Sequence, residues 1–408
     1  MVNILVLSAY DADSHKRWHQ GLVRYLKNEC LSFGQPLNFT VLTLPARFFS
    51  WRIRGNALSW ALGKQAVLQS QKWNAIIATS MVDLATLKGL VPCLASVPTC
   101  VYFHENQFAY PTTSHGHNSI EPQMVTLYSA LAANKVCFNS EYNKSTFLAG
   151  VAALLKKLPD QIPFGIVENI QQKSQVLPVP IEPEYFALAD NSQPQSTTLH
   201  SADTLKFPRE LTTFDTLEEP LTIVWNHRWE YDKCPELLLA IVQQLDKMAP
   251  HLNLRWHVVG QRFRQVPKAF EALQTLLMQK NWLGEWGYLP RPEYLSVLKS
   301  SHIVLSTAAH DFQGLAVMDA VAAGCVPLLP HRVAYPEFFA GDYLFGSAGA
   351  CEAVTQKECL LAEQAAHAII NHYQGANPLS APNIDKLNWL TLKQQYAQLF
   401  DTLVTHQY

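Results

Sequence analysis

Short apolar runs punctuate this chain, and between them apolar residues recur every three to four positions. In the first half the runs are Ile4 to Leu7, Phe39 to Leu44, Ala75 to Ala78, Cys100 to Phe103 and Val136 to Phe138. Unbroken runs this short suit strands buried on both faces, and the periodic stretches between them suit amphipathic helices. Alternation of the two predicts parallel pairing, since a parallel strand is reached only by a crossover, and right-handed helical crossovers cover both faces of the sheet. The first half is therefore expected to be an α/β, doubly wound, Rossmann-like domain.

The pattern changes near residue 191. From Asn191 to Pro220 the chain is rich in Ser, Thr, Gln, Pro and Asp and poor in large apolar residues, the composition of a linker or insertion. A second series of runs then begins at Leu221 and continues through Leu254 to Val259, Ile303 to Ser306 and Val326 to Leu329. It predicts a second doubly wound domain, similar to the first in rhythm only, because no repeat of residues is visible. The expected division is 1–190, a linker at 191–220, 221–380, and a final helical stretch at 381–408. That last stretch follows the Pro-containing break Asn377 to Pro382 and is expected to pack back on the first domain.

A length of 408 residues suits two domains, and 48% apolar with 16% charged residues suits folded cores rather than disorder. The apolar run at Met1 lacks a basic flank and a small-residue cleavage site, so it reads as a strand and not a signal peptide. No segment reaches about 18 unbroken apolar residues, so no membrane insertion is expected. The eight cysteines are scattered without a C-x-x-C pair and read as reduced, mostly buried thiols. A cytoplasmic location follows from these readings. The net charge of -2 hides an asymmetry: residues 1–185 carry 15 Lys and Arg against 11 Asp and Glu, whereas the remainder is acidic. A basic first half permits a polyanionic partner there.

In doubly wound domains ligands sit beyond the carboxyl ends of the strands, so polar residues directly after each run are the first candidates. After Trp225 comes Asn226 to Lys233, with Arg228 and Lys233 five apart on one loop. A guanidinium fork and an ammonium point charge at this spacing suit a diphosphate, though a solvated surface pair reads the same way. Ser306 to Ala320 holds Asp311 and Asp319, eight apart, with Gly314 and Leu315 at the turn into a helix. The two acids suit two sets of hydroxyls, and the free amides at the helix start suit phosphate oxygens. Acids that serve only the helix dipole or a helix face are the plainer alternative.

In the first half, His104 and Glu105 follow a strand and are expected to face an interdomain cleft, where a neutral imidazole can hydrogen-bond a sugar or an incoming hydroxyl. Ser14 and His15 follow the first strand, Ser14 as a possible N-cap, and the loop lacks the glycine-rich turn of dinucleotide binders. Pro45 to Arg54 interleaves Arg47, Arg52 and Arg54 with Phe48, Phe49 and Trp51, suiting phosphate contact with base stacking or, equally, an amphipathic element with buried aromatics. Neither a metal nor another cofactor is expected, because no His, Cys or Asp cluster has ligand spacing.

Together these segments resemble a known family. Asp311 and Asp319 resemble the E-x7-E signature of retaining GT-B glycosyltransferases, with Asp one methylene shorter at both ends, and Arg228 with Lys233 matches their diphosphate clamp. Ser14 to Lys16, Leu44 to Arg47, Trp51 to Arg54, Tyr102 to Gln107, Phe138 to Ser140, His227 to Lys233 and His310 to Gly314 look closer to one subfamily, the tRNA-queuosine α-mannosyltransferases. That resemblance covers nearly the whole chain outside 191–220. It implies a GT-B fold, with an acceptor-side first domain and a nucleotide-sugar-binding second domain. It also implies GDP-mannose as donor and co-substrate, and queuosine in a tRNA anticodon as acceptor. On this reading the donor meets His227, Arg228, Lys233, Asp311, Gly314, Leu315 and Asp319. The acceptor meets Ser14, His15, Arg47, Arg52, Arg54 and Asn106, with His104, Glu105 and Asp311 at the reacting centre. A lipid, glycan or small-molecule acceptor with another nucleotide sugar, or sugar-nucleotide binding without turnover, stays open, as does the oligomeric state.

Overall fold

The computed structural model describes residues 1–27, 29–109, 120–190, 219–263, 265–346 and 354–405; most of the expected linker lies outside them. The chain divides into two compact units, one of Met1–Pro180 with Lys386–Tyr408 and one of Ile181–Asp385. The helix Pro183–Asp190, read from composition as the end of the first domain, thus groups with the second unit.

The first unit holds a six-stranded parallel sheet of β1 (Val2–Asp11), β2 (Leu37–Pro45), β3 (Ala75–Thr79), β4 (Thr99–Phe103), β5 (Lys135–Phe138) and β6 (Ser174–Val176), in the order β2-β1-β3-β4-β5-β6. Every residue of β3 and β4 is buried. One face packs Leu5, Leu7, Ile76, Ala78, Val101, Phe103, Val136 and Phe138 against Trp60 and Phe147. The intervening side chains are also buried, which explains why these strands read as continuous apolar runs.

Part of the cover comes from the far end of the sequence. The helix Trp389–Thr405 lies on the helix Asp13–Leu26, with the rings of Trp389 and Tyr25 stacked at 5.2 Å. A Cβ at Gly21 would overlap the Trp389 indole, so this close approach requires glycine. Trp18 Nε1 donates to the Tyr396 hydroxyl at 3.1 Å, and that hydroxyl lies 3.0 Å from the Pro178 carbonyl oxygen and 3.1 Å from the Tyr102 hydroxyl.

The second unit holds β7 (Leu221–Trp225), β8 (Leu254–Val259), β9 (Leu283–Gly287), β10 (Ile303–Leu305), β11 (Val326–Pro330) and β12 (Leu344–Phe345), all parallel, in the order β12-β11-β10-β7-β8-β9. Renumbered within the unit, this is the 3-2-1-4-5-6 order of a dinucleotide-binding sheet. The order reverses between β7 and β10, and in the first unit between β1 and β3. Two doubly wound Rossmann-like units, as the rhythm of the sequence predicts, are what the chain forms.

Among the described residues no helix is long and apolar enough to cross a membrane. The seven described cysteines are free thiols. Cys100, Cys137 and Cys325 are buried, but Cys30, Cys93 and Cys359 are exposed, so the expectation of mostly buried thiols holds only in part.

Trp389→Ala removes a fully buried indole and is expected to lower the stability of the first unit by about 3–5 kcal/mol. Urea denaturation followed by tryptophan fluorescence measures this, and an unchanged midpoint would contradict the docking of the last helix.

Candidate functional site

The loops leaving β7 and β10, at the reversal point of the second sheet, are tied together. The backbone amides of Ala309 and His310 donate to the Asp232 carbonyl oxygen at 2.9 and 3.2 Å, and Thr307 Oγ1 donates to the Lys233 carbonyl oxygen at 2.6 Å. Trp225 Nε1 in turn donates to Thr307 Oγ1 at 2.9 Å.

These ties bring the predicted donor residues together. Lys233 is buried, with Nζ 2.6 Å from the His310 carbonyl oxygen, 3.3 Å from Asp311 Oδ1 and 3.4 Å from Asp232 Oδ2. Arg228 is half exposed, 2.6 Å from Glu230 Oε2 and 3.5 Å from the same Asp232 Oδ2. The two cations therefore share one carboxylate. Burial opposes ionisation of Asp311, but Lys233, His227, the Tyr335 hydroxyl and His310 together hold its carboxyl below the usual range.

Gly314, at φ 78°, precedes the helix Leu315–Ala322, whose start no side chain caps. A Cβ there would stand 2.7 Å from Tyr335 Cε1, so the turn needs glycine for both conformation and space. Asp319 is buried in the second turn of that helix and Asp311 lies in the loop before it, a separation the spacing alone anticipates. Asn226 donates to the Tyr294 hydroxyl at 2.9 Å and the Ala316 carbonyl oxygen at 2.7 Å, anchoring the helix start to β7.

Three groups that the sequence reading passed over belong to this site. His227 Nε2 lies 2.9 Å from Ser306 Oγ, Ser306 Oγ lies 2.8 Å from the Tyr335 hydroxyl, and that hydroxyl donates to Asp311 Oδ2 at 2.9 Å. Arg332 reaches back to the carbonyl oxygens of Ala308 and Thr307 at 2.8 and 2.6 Å. Ser306 stands at a strand end and was findable by that rule. Tyr335 and Arg332 lie beyond β11 with no local signal.

In the first unit a histidine cluster forms where β1 and β4 end. His104 is buried, its ring 4.2 Å from that of His15, 4.7 Å from Tyr102 and 4.8 Å from Trp18. Burial first, then the charges of His15 and His19, push its pKa well down, so the imidazole is neutral at physiological pH. His15 Nδ1 faces the Tyr10 carbonyl oxygen at 2.6 Å, and its Nε2 is 3.8 Å from Glu105. Asp11 accepts from Ser8 and faces His19 Nε2 at 3.0 Å. His15 and His19, four apart on one face of the helix Asp13–Leu26, were the available signal, with Asp11 at the end of β1 meeting His19.

Three first-unit expectations change. Ser14 is not an N-cap: Ala12 holds that position and Ser14 lies within the first turn, because β1 runs on to Asp11. Asn106 is fully buried, its amide nitrogen bonded to Asn143 and Thr146 and its oxygen accepting from the Phe108 and Ala109 amides, so it braces the loop instead of facing a ligand. Arg52 turns inward and is buried, whereas Arg54 is half exposed and paired with Asp83 at 2.7 Å and Glu121 at 3.1 Å. Arg47, with its guanidinium 5.6 Å from the Phe48 ring centre, stays on the surface with Phe48, Phe49 and Trp51, so these aromatics are not core.

Buried histidines make the second unit sensitive to acid. Burial pushes His227, His257 and His310 down to about 4, reinforced by Lys233 at His227 and His310 and by Arg255 at His257, and opposed by Asp311 at the first and last. Unfolding frees each to bind a proton near its ordinary pKa of about 6.5. The unfolded chain then holds more protons than the folded one, so stability falls as pH drops from about 6.5 to about 4. Thermal unfolding at a series of pH values tests this: the midpoint falls across that window, and His257→Gln flattens the slope. A midpoint constant from about pH 7 to 5 would contradict it.

Comparison with known proteins bears on what this geometry serves. The model of the tRNA-queuosine alpha-mannosyltransferase N-terminal family matches residues 3–181. A tRNA-queuosine alpha-mannosyltransferase of Drosophila melanogaster is 32% identical over 348 residues, covering 85% of this chain and 84% of that protein. Among solved structures, a glycosyltransferase from Rickettsia africae superposes with a TM-score of 0.58 at 14% identity, covering 99% of both chains. An alpha,alpha-trehalose-phosphate synthase (UDP-forming) from Burkholderia xenovorans superposes with a TM-score of 0.61 at 11% identity, covering 98% of this chain and 100% of its own. At such identity these two speak for the fold, which is that of the GT-B glycosyltransferases. The similarity to the Drosophila protein extends well beyond the first unit, and on that ground this chain belongs to the tRNA-queuosine alpha-mannosyltransferase family of glycosyltransferases.

Proposed function

We propose that this chain transfers mannose, with retention of configuration, from GDP-mannose to a hydroxyl of queuosine in the anticodon of a tRNA, in the cytoplasm and without a metal ion or other cofactor. The observation that carries the donor half is the buried Lys233, fixed beside Asp311 and sharing Asp232 with a half-exposed Arg228. A diphosphate offers Arg228 the same pair of anionic oxygens that Glu230 and Asp232 offer now, so the guanidinium exchanges one set for the other with its charge always compensated. Lys233 adds a fixed point charge, and the uncapped helix start beyond Gly314 presents amides to the phosphates. In the step itself the bond from the sugar C1 to the diphosphate oxygen breaks and a bond from C1 to the acceptor oxygen forms on the same face. The hydroxyl proton leaves on the departing diphosphate. Stabilisation of the leaving group by the two cations supplies most of the rate, which is what allows the metal to be dispensed with.

Sugar hydroxyls donate to Asp311, and Asp319 serves the ribose of the nucleotide. On the acceptor side, neutral His104, flanked by His15 and Glu105, offers an imidazole to hydroxyl groups. The RNA meets the surface of Arg47, Phe48, Phe49 and Trp51 at the start of the helix Phe49–Gly63, where exposed rings beside a cation suit stacking on unpaired anticodon bases.

Radiolabelled GDP-mannose incubated with queuosine-containing and queuosine-free tRNA tests donor and acceptor together. Label is expected only in the first, and is expected to persist in excess EDTA. Transfer from UDP-glucose instead, or onto both tRNAs alike, would overturn the proposal. Arg228→Ala is expected to reduce kcat/KM for the donor roughly 10- to 100-fold through loss of a charge-assisted contact. Trp51→Ala is expected to raise KM for tRNA roughly 5- to 100-fold while leaving donor affinity unchanged, the loss of one stacked base. Equal effects of Trp51→Ala on donor and tRNA would remove this surface from the acceptor site.

A further inference from the structure

Proton counting along the chain of contacts from His227 to Asp311 settles which way each hydrogen bond points. The Asp311 carboxylate can only accept, so the single proton of the Tyr335 hydroxyl lies on the 2.9 Å contact between them. The 2.8 Å contact between Tyr335 and Ser306 still requires a proton, and Ser306 alone can supply it. With that proton engaged, the 2.9 Å contact from Ser306 Oγ to His227 is closed only by an N–H on His227 Nε2. Ser306 Oγ also accepts from the Ala308 amide at 3.2 Å, which agrees with its role as acceptor from two sides and donor to one. Every donor in the relay thus points toward Asp311, and His227 is the Nε2–H tautomer, with Nδ1 left as an acceptor.

From this geometry we infer that Tyr335 is a positioning residue of the transfer reaction, orienting the Asp311 carboxylate and, through Ser306, setting the tautomer of His227, so that both present acceptors to the hydroxyls of the bound sugar. The role of these acceptors toward a sugar rests on the donor reading above, but the relay itself does not. Tyr335 is fully buried, and its ring packs against Gly314 at the turn into the helix Leu315–Ala322. One side chain from beyond β11 therefore holds both the acid and the glycine turn beside it. Asp311 is one methylene shorter than the Glu of the E-x7-E signature, and a fixed hydroxyl on Oδ2 with Lys233 on Oδ1 leaves it little freedom to swing.

The groups that set the ionisation of Asp311 come from three loops. Lys233 and His227 follow β7, His310 adjoins Asp311 after β10, and Tyr335 follows β11, while Asp232 and Arg228 act on the two histidines and Arg332 on the tyrosine. Removing the Tyr335 hydroxyl takes one stabilising donor from the carboxylate and leaves the rest in place.

Tyr335→Phe and Ser306→Ala, each compared with the full-length parent, test the assignment. In the ligand-free protein, nitrogen-15 NMR of the histidines is expected to report the Nε2–H tautomer for His227. In Tyr335→Phe the Ser306 hydroxyl is released to donate to His227, and the tautomer is expected to switch. The acid limb of kcat/KM for GDP-mannose is expected to move up by about one pH unit in Tyr335→Phe, with kcat/KM at neutral pH down roughly 10-fold. Ser306→Ala, which leaves the Tyr335 to Asp311 bond intact, is expected to keep the acid limb in place while the tautomer preference is lost. A Tyr335→Phe enzyme that is less stable or slower but has an unmoved acid limb and an unchanged tautomer assigns the tyrosine to packing alone and overturns the inference. If GDP-mannose is not the donor, the parent itself shows no turnover, yet the NMR result still decides the relay.

Discussion

A buried ammonium group governs the second unit. An uncompensated charge in a protein interior costs several kcal/mol, so Lys233 can be buried only where carboxylates and carbonyl oxygens already wait for it. Asp232 and Asp311 and the His310 carbonyl oxygen meet that demand, and they come from two different loops, after β7 and after β10. Those are the loops that part company where the strand order reverses, the place where a doubly wound sheet leaves room for a ligand. The electrostatics of one lysine thereby tie these two loops of the candidate donor site together, and the backbone bonds from Ala309 and His310 to Asp232 fix the distance between them.

The contrast between the two cations matters for chemistry. Lys233 is buried among its partners, while Arg228 is half exposed and held by two carboxylates. Burial pushes Glu230 up from the ordinary carboxylate range against the pull of Arg228, whereas Asp232 is shared with Lys233. A buried charge and a half-exposed one, sharing Asp232, suit the proposed task of accepting a diphosphate, holding it through bond cleavage and releasing it.

In the first unit the corresponding constraint is apolar. Strands buried on both faces need two layers of cover, and the second layer is completed by the helix Trp389–Thr405. Its Tyr396 hydroxyl meets Trp18 and Tyr102, and the rings of both pack on His104. The imidazole is thus kept dry and neutral by residues from three separated parts of the chain.

What the sequence determined by itself was local. Apolar runs of strand length specify strands, their alternation with helices specifies parallel sheets, and the rule that ligands gather at strand ends led to Arg228, Lys233, Asp311 and His104, because those residues lie within a few positions of the run that places them. What only the tertiary structure decided depends on contacts between distant segments. Tyr335 joins Asp311 across 24 residues and Tyr396 joins Tyr102 across 294, and no periodicity or spacing carries such a pairing. Side-chain direction was equally hidden. Arg47 and Trp51 face solvent while Arg52 turns inward, and Asn106, two residues past His104, is taken up by its own loop and by Asn143 and Thr146 of the helix Glu141–Leu155, since burial is set by what packs against a residue and not by the company it keeps in sequence.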